Sequence, residues 1–489
     1  MSNRLSDLDA EATVLLAQMR ELPALTPKHK QLIKRQHPAE LEPVPRRTTM
    51  EETSATFTEA QAVLEAMRCM HCKKPFCSAA CPIGMPIPEY FEHLVSGDVQ
   101  GAVDLIRSHS LFPSICSRVC PHEKQCESNC TVGKMQKDMR KCVSIGNIER
   151  FCSDYERYKL GGKKVPQMAP ATGKKVAVVG AGPAGLAAAI DLATFGHKVE
   201  IFEAAQGLGG VLRYGIPEFR LPKHILDYEL SILPKMGIEC HTGVTVGKDF
   251  PLEALLSEQG FDAVFLGNGA GLALTTGVPG EDLEGVFTAE EYLKKGNLQE
   301  AIASGKKVVI VGGGNVAMDA SRMAFRLGAE SVTIVYRRTR EQMPACMVEL
   351  EEATVEGVEI RELRNPAAFI SDETGRVSGA KLDVFKLGEP DSSGRARPEK
   401  IEGEEDFVEC DTVVLAIGNK VSPEIKASAP ALETNRNGTY IVKDPETGET
   451  SVSKVYTGGD AMHGPQTVVL AMKTGRSAAL AIHKMLAGG

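Results

Sequence analysis

The sequence predicts an α/β protein with an N-terminal α-helical, cysteine-rich domain, and three observations predict it. KKVAVVGAGPAGLAAAIDLATFGHKVEIFEA at 174–204 and KKVVIVGGGNVAMDASRMAFRLGAESVTIVYRR at 306–338 resemble each other. Each reads as a buried strand, a glycine-rich turn, an amphipathic helix and a second strand ending in a charged residue, so two Rossmann-like units are expected. Ten of the thirteen cysteines crowd between Cys69 and Cys152. The length of 489 residues, 43% hydrophobic and 25% charged, suits two to four ordinary globular domains.

Charge and hydropathy exclude other classes. Fifty-six Lys and Arg against 64 Asp and Glu give a net charge of -8, which lacks the positive footprint of a nucleic-acid binder. The longest stretch free of charge, Ala263–Gly280, has the length of a membrane span but holds Asn268, Pro279 and five glycines, so strand and loops are expected there. The N-terminal stretch SNRLSDLDAEATVLLAQMREL carries acids inside its apolar part and shows no secretory signal. A cytoplasmic protein without nucleic-acid or membrane partners is expected.

In chain order, residues 1–55 are polar and form an arm. Residues 56–160 form the helical domain, opened by TFTEAQAVLEAMRC with Thr58 as N-cap. A second helix, GDVQGAVDLIRSH, lies inside it. YKLGGKKVPQMAPATGKK, rich in Gly, Pro and Lys, is a linker. Residues 174–285 and 421–489 form one nucleotide domain, made discontinuous by the return of the C-terminal run, and residues 286–420 form the other.

In the first turn, Gly180 permits the tight bend, Gly182 lets backbone approach a pyrophosphate at the helix N-terminus beside Pro183 and Ala184, and Gly185 lets helix pack on strand. Glu203 ends the second strand 23 residues after Gly180, where a carboxylate accepts the hydroxyls of an adenosine ribose. The second turn is Gly312-Gly-Gly314-Asn315-Val316, with Ala317 in the third glycine's place. Its strand ends in Arg337 and Arg338, with Arg340 beyond. Guanidinium groups there suit the 2′-phosphate of NADP(H); NAD(H), or a solvated basic strand end, is the alternative. An acid at one site and arginines at the other imply two different dinucleotides, and flavin with nicotinamide is the economical pair. TGGDAMHGPQTVV supports FAD at the first site: Gly459 and Asp460 would bind the ribityl–phosphate part, and Gln466, Thr467 and Val468 open a helix aimed at the flavin. LGGVLRYGIPEFRLP, with Gly210, would cover the flavin or be plain core.

The cysteines form Cys69-x2-Cys72-x4-Cys77-x3-Cys81-Pro and Cys116-x3-Cys120-Pro-x4-Cys126-x3-Cys130. Two runs of four fit two [4Fe-4S] clusters better than the paired pattern of zinc; structural thiols are the third reading. The last cysteine of a run can serve the other cluster, so spacing leaves the assignment open.

Together the double cysteine cassette, GNIERF at 146–151, GAGPAG, GGGNVAMD and TGGDA resemble the glutamate synthase (NADPH) small-subunit family over about residues 55–489, including the large subunit of NADH-dependent ferredoxin:NADP oxidoreductase (Nfn-type). The N-terminal part of dihydropyrimidine dehydrogenase is similar. The resemblance implies a helical iron–sulfur domain followed by FAD and NAD(P)H domains of the disulfide-reductase type. It also implies that one cluster has three cysteines and an oxygen ligand, matched here by Glu149, which would make Cys116 a bystander. Spacing alone favours Cys116, and the bland reading of Glu149 is a helix-surface acid paired with Arg150. Cys142 and Cys152 have no counterpart and read as buried thiols.

The expected function is an oxidoreductase subunit moving electrons between NADP(H), FAD and two [4Fe-4S] clusters, to or from a partner. That partner would be a glutamate synthase large subunit-like chain, a ferredoxin:NAD reductase-like small subunit, or ferredoxin. The alternatives are an Nfn-type bifurcating transhydrogenase and a non-catalytic scaffold subunit. Ser2 is not the cysteine that a glutaminase nucleophile would need, and no C-x-x-C accompanies the flavin turn.

Overall fold

The computed structural model describes residues 2–390 and 394–488. The arm is not featureless. Ser2–Arg20 is a helix that buries Ala12 and Leu16 against the helical domain. Arg46 is fully buried and pairs with Glu352 (2.5 Å) and Glu356 (2.9 Å), so the arm also reaches the distal nucleotide domain. Polar composition hid this because the arm's charges meet partners far along the chain.

The helical domain opens as expected. Thr58 accepts the N–H of Gln61 and Gln61 returns the bond, a capping box that starts helix Glu59–Met67. Asp98 caps Val99–His109 by accepting the N–H of Gly101. Helices Ile87–Val95, Val99–His109 and Ile145–Lys159 close a core around Phe91, Tyr90 and Ile148. Pro82, Pro113 and Pro121 break the chain into the short helices that carry cysteines.

Two sheets, one mixed and one parallel, follow the linker. The first places strands in the order 442–444, 449–450, 455–457, 263–266, 175–179, 198–203, 239–242, and its last five strands are parallel. The late strand Val455–Thr457 thus pairs with Ala263–Leu266, 191 residues earlier in register. The second sheet, in the order 286–288, 412–415, 307–311, 331–336, 359–362, is parallel throughout. The two crossing segments pair with each other at Leu272–Ala273 and Asn419–Lys420. A three-stranded antiparallel sheet, 364–371, 377–390 and 396–409, is inserted in the second unit and was not expected from the sequence. Among the described residues no helix is long and apolar enough to cross a membrane.

Candidate functional site

The fold interleaves the two cysteine runs. Cys69, Cys77 and Cys130 are one another's electrostatic neighbours, and Cys72 Sγ lies 3.1 Å from the hydroxyl of Thr131, next to Cys130. Cys81, Cys120 and Cys126 form the second set, which Cys116 and Glu149 join. The last cysteine of each run therefore sits with the other run. Burial, with repulsion from neighbouring thiols adding to it, pushes Cys69 up to about 12 and Cys77 to about 11, so a positively charged centre is what would hold these two as thiolates. Among the described residues the one trio of ligand atoms all within 4.8 Å is Glu200, Glu239 and His241, where Lys175 and Lys198 already neutralise Glu200. No three cassette thiols come that close. Zinc with bonds of about 2.3 Å would hold its sulfurs within about 4 Å of each other, so the thiols stand wider apart than three ligands of one zinc ion would.

Glu149 is not a surface acid. It is buried on helix Ile145–Lys159, and no described group hydrogen-bonds its carboxylate. Burial pushes it up to about 8, against the opposing charge of Arg107. The pairing with Arg150 is overturned: Arg150 pairs with Glu52 (3.0 Å) and donates to the carbonyl of Ser54 (2.6 Å). Cys116 is also buried; its sulfur accepts from the Ser110 hydroxyl at 3.9 Å and shares a hydrogen bond with the free thiol of Cys120. Both competitors for the fourth position thus stand at the second set. Cys142 and Cys152 are buried, as expected; Cys142 accepts from Arg35 (3.0 Å). Sequence reasoning missed two more groups. The Tyr90 hydroxyl and His122 Nε2 are buried without a hydrogen-bond partner among the described residues. Tyr90 faces Glu149, Cys126 and Cys77, groups from both sets. Nothing in the sequence flags either residue, because an orphaned polar atom is visible only in three dimensions.

The first glycine turn sits at the carboxyl end of its sheet. Gly180 has φ +96°, and a Cβ there would lie 2.5 Å from the carbonyl of Gly267. A Cβ on Gly185 would lie 1.9 Å from the carbonyl of Gly180, whereas one on Gly182 would meet almost nothing. The first two glycines to be crowded serve packing; Gly182 leaves open backbone at the N-terminus of helix Pro183–Thr194, which is what a pyrophosphate needs. Glu203 is buried and spans the turn, accepting from the N–H groups of Ala181 (2.7 Å) and Ala205 (2.8 Å). Gly210 (φ +53°) comes to the same turn: a Cβ on it would lie 3.0 Å from Gly182 Cα. The segment around it divides its work, since Leu212 and Leu221 are core while Gly209 donates to Ala181.

The C-terminal motif closes on this turn. A Cβ on Gly459 would lie 2.8 Å from that of Ala184, and one on Gly475 would lie 2.2 Å from the carbonyl of Ala184. Asp460, pushed up to about 6 by burial, accepts from the N–H of Gln466 (3.0 Å). Thr467 caps helix Val468–Leu486 by accepting from Leu470. Two helix N-termini, Glu203 and Asp460 therefore meet at one edge, a donor and acceptor set that fits FAD.

The second turn repeats the geometry with different chemistry. Gly312 (φ +140°) would clash with the carbonyl of Ala416 if it had a side chain, and Gly314 has open space before it. The Asn315 side chain is engaged internally, accepting the N–H of Cys346 (2.7 Å), and Val316 is exposed. The two arginines separate. Arg337 is exposed and has no partner among the described residues, whereas Arg338 is buried and donates to the carbonyl of Ala396 (2.8 Å) in the inserted sheet. The 208–222 loop is tied to this domain by Arg220, which pairs with Asp319 (2.7 Å) and Glu349 (2.9 Å).

Comparison with known proteins agrees with this architecture. Residues 46–160 match the family described as dihydropyrimidine dehydrogenase domain II, 4Fe-4S cluster, and residues 174–475 match pyridine nucleotide-disulphide oxidoreductase. The glutamate synthase [NADPH] small chain of Halomonas elongata is 38% identical over 86% of this chain and 90% of its own. That of Escherichia coli strain K12 is 37% identical over 86% and 91%. The NADP(+)-dependent formate dehydrogenase subunit beta of Moorella thermoacetica is 38% identical over 85% of this chain and 61% of its own. Among solved structures, Mycobacterium tuberculosis FprA in complex with NADPH shares the fold at 22% identity, with a TM-score of 0.55 over 65% of this chain and 85% of that one. With its 4Fe-4S domain in front of a pyridine nucleotide-disulphide oxidoreductase domain, the chain belongs to the glutamate synthase small-chain family of oxidoreductases.

Proposed function

We propose that the chain oxidises NADPH at the second nucleotide unit, holds FAD at the first, and delivers single electrons through two [4Fe-4S] clusters to a partner subunit. The observation that carries this reading is the opposite charge at equivalent strand ends: buried Glu203 on one unit, exposed Arg337 on the other. FAD supplies the conversion of a hydride into single electrons. The overall balance is NADPH plus two oxidised acceptors giving NADP+, a proton and two reduced acceptors.

The chain's own residues bind and orient. Gly182, Gly210, Glu203, Asp460 and the N-terminus at Thr467–Val468 would hold FAD. Gly314, Val316 and Arg337 would hold NADPH, with Asn315 and Arg338 shaping the site from behind. Cys69, Cys72, Cys77 and Cys130 would hold one cluster, and Cys81, Cys120, Cys126 and Glu149 the other. Chains similar to this one carry the names of glutamate synthase, formate dehydrogenase and NADPH-Fe(3+) oxidoreductase subunits, so the partner is set by surface, not by the redox core.

Anaerobic titration tests the proposal. The purified chain should carry about one FAD and roughly eight irons, and NADPH should bleach the flavin and then bring up EPR signals of reduced clusters. Stoichiometric zinc, or a flavin that NADPH leaves oxidised, would refute it.

A further inference from the structure

A cationic, partly apolar face covers the first cysteine set. Between Cys72 and Cys77 the chain exposes Lys73, Lys74 and Phe76, the last 56% exposed. This segment touches 129–141: Cys72 meets Thr131, and Lys134 Nζ lies 5.3 Å above the Phe76 ring. There Lys134, Lys137, Arg140 and Lys141 are exposed, with Met135 (53% exposed) and Met139 among them. Met139 belongs to the same face, since a Cβ on Gly133 would lie 2.8 Å from its Cε.

Six cations therefore stand against one carboxylate within these two segments, in a chain whose net charge is -8. That carboxylate, Asp138, is held by Arg140 (3.3 Å) and its N–H (3.0 Å). Lys73, Lys74 and Lys137 have no anionic partner among the described residues, and Lys141 shares Asp138 with Arg140. Beside the face, Glu92 pairs with His71 (3.0 Å). A lysine run alone is an ordinary solvated surface. Three exposed apolar side chains interspersed with these cations are not, because apolar contacts among charged neighbours are what a docking patch offers.

Given the electron-transfer function proposed above, we infer that this face docks an acidic electron-transfer protein domain, whose carboxylates meet the lysines and whose apolar centre meets Phe76 and Met135. With a cluster held by Cys69, Cys72, Cys77 and Cys130, each encounter would pass one electron between it and the partner's own centre, one being oxidised as the other is reduced. Charge complementarity of this kind raises the encounter rate by about ten to a thousandfold and weakens as salt rises.

The test uses the holoprotein with an acidic plant-type [2Fe-2S] ferredoxin, pre-reduced with dithionite, as probe, and follows NADP+ reduction at low and high ionic strength. The wild-type rate should fall as salt rises. The variant Lys73→Glu/Lys134→Glu/Lys137→Glu/Lys141→Glu should be at least about tenfold slower at low salt and lose the salt dependence. Met135→Ala should slow the reaction with the salt dependence kept. Iron content and NADPH bleaching of the flavin should match the wild type in every variant. If the fourfold variant loses iron, Lys73→Glu and Lys137→Glu singly should each still slow the reaction several-fold. Unchanged rates in variants with intact iron and flavin bleaching would overturn the docking surface and leave the proposed function standing. So would lysine-dependent binding of duplex DNA or anionic vesicles with electron transfer unaffected. A wild-type flavin that NADPH cannot bleach would overturn the function, and the docking surface with it.

Discussion

Glu123, three residues after Cys120, caps a helix in the distal nucleotide domain: its carboxylate accepts the backbone N–H groups of Met347 and Val348 (3.3 Å). Its neighbour Lys124 donates to the carbonyls of Pro344 (2.6 Å) and Ala345 (2.9 Å). The loop that presents Cys120 is thus fastened to the segment that holds Asn315 through Cys346. A helix start leaves N–H groups without intrahelical partners, so an acid supplied from another domain stabilises helix Met347–Val355 and the domain contact at once.

Glu123→Ala should cost about 1 kcal/mol locally. Hydrogen exchange should speed up at Met347 and Val348, while iron content stays at the wild-type level. Exchange rates unchanged at these two amides would show that the cap contributes nothing.

The two arginines at the end of the second unit should behave differently. Arg337 is exposed and uncommitted, so Arg337→Ala should raise KM for NADPH by roughly ten- to a hundredfold, the worth of a charge-assisted hydrogen bond, and leave KM for NADH in place. Arg338 is buried and holds the inserted sheet at Ala396. Arg338→Ala should lower the Tm and affect both nucleotides alike. Nucleotide-specific kinetics for Arg338→Ala and none for Arg337→Ala would reverse the assignment.

This difference between neighbouring arginines marks where sequence reading stops. The glycine turns were legible because backbone geometry admits few residues there: Gly180 and Gly312 both have positive φ and a carbonyl where a side chain would go. The cysteine runs were legible because no ordinary core needs that spacing. The exchange of Cys81 and Cys130 between sets was not, since either pairing satisfies the spacing. The inserted sheet was missed because its strands, such as Ala396–Glu409, are largely exposed and rich in charge, which composition reads as loop. The arm's role was hidden for the same reason: Arg46 looks like a surface cation until Glu352 and Glu356 arrive from 300 residues away.

A buried charge network joins three parts of the chain and should show in the pH dependence of stability. Glu229 is fully buried on the first nucleotide domain, bonded to Arg107 (2.8 Å) of the helical domain, Lys163 (2.9 Å) of the linker and the N–H of Ser114 (3.1 Å). Despite burial, which opposes ionisation, these partners hold its carboxyl down at about 2. A depressed carboxyl stabilises the native state above its unfolded pKa and loses that contribution as pH falls through the folded value. Glu229→Gln should therefore lie well below the wild type in Tm at neutral pH, by an amount equivalent to about 3 kcal/mol, and the gap should close as pH drops from about 4.5 to about 2. A gap that does not change with pH would mean that packing, not charge, is what the substitution removes.

The last prediction separates Glu149 from Cys116. Both are buried at the second set, but their surroundings differ. The Cys116 sulfur already has Ser110 and Cys120 as neighbours. The Glu149 carboxylate has no hydrogen bond among the described residues, and burial holds it up near 8. An uncompensated buried acid is costly unless something binds it. Iron would take the proton's place and remove that cost, and a hard oxygen ligand would give its cluster redox properties unlike those of an all-thiolate site. Glu149→Ala should lower iron from about eight to about four per chain and remove one set of EPR signals, with FAD retained. Cys116→Ala should keep both clusters. Loss of iron with Cys116→Ala and none with Glu149→Ala would give the fourth position to the cysteine.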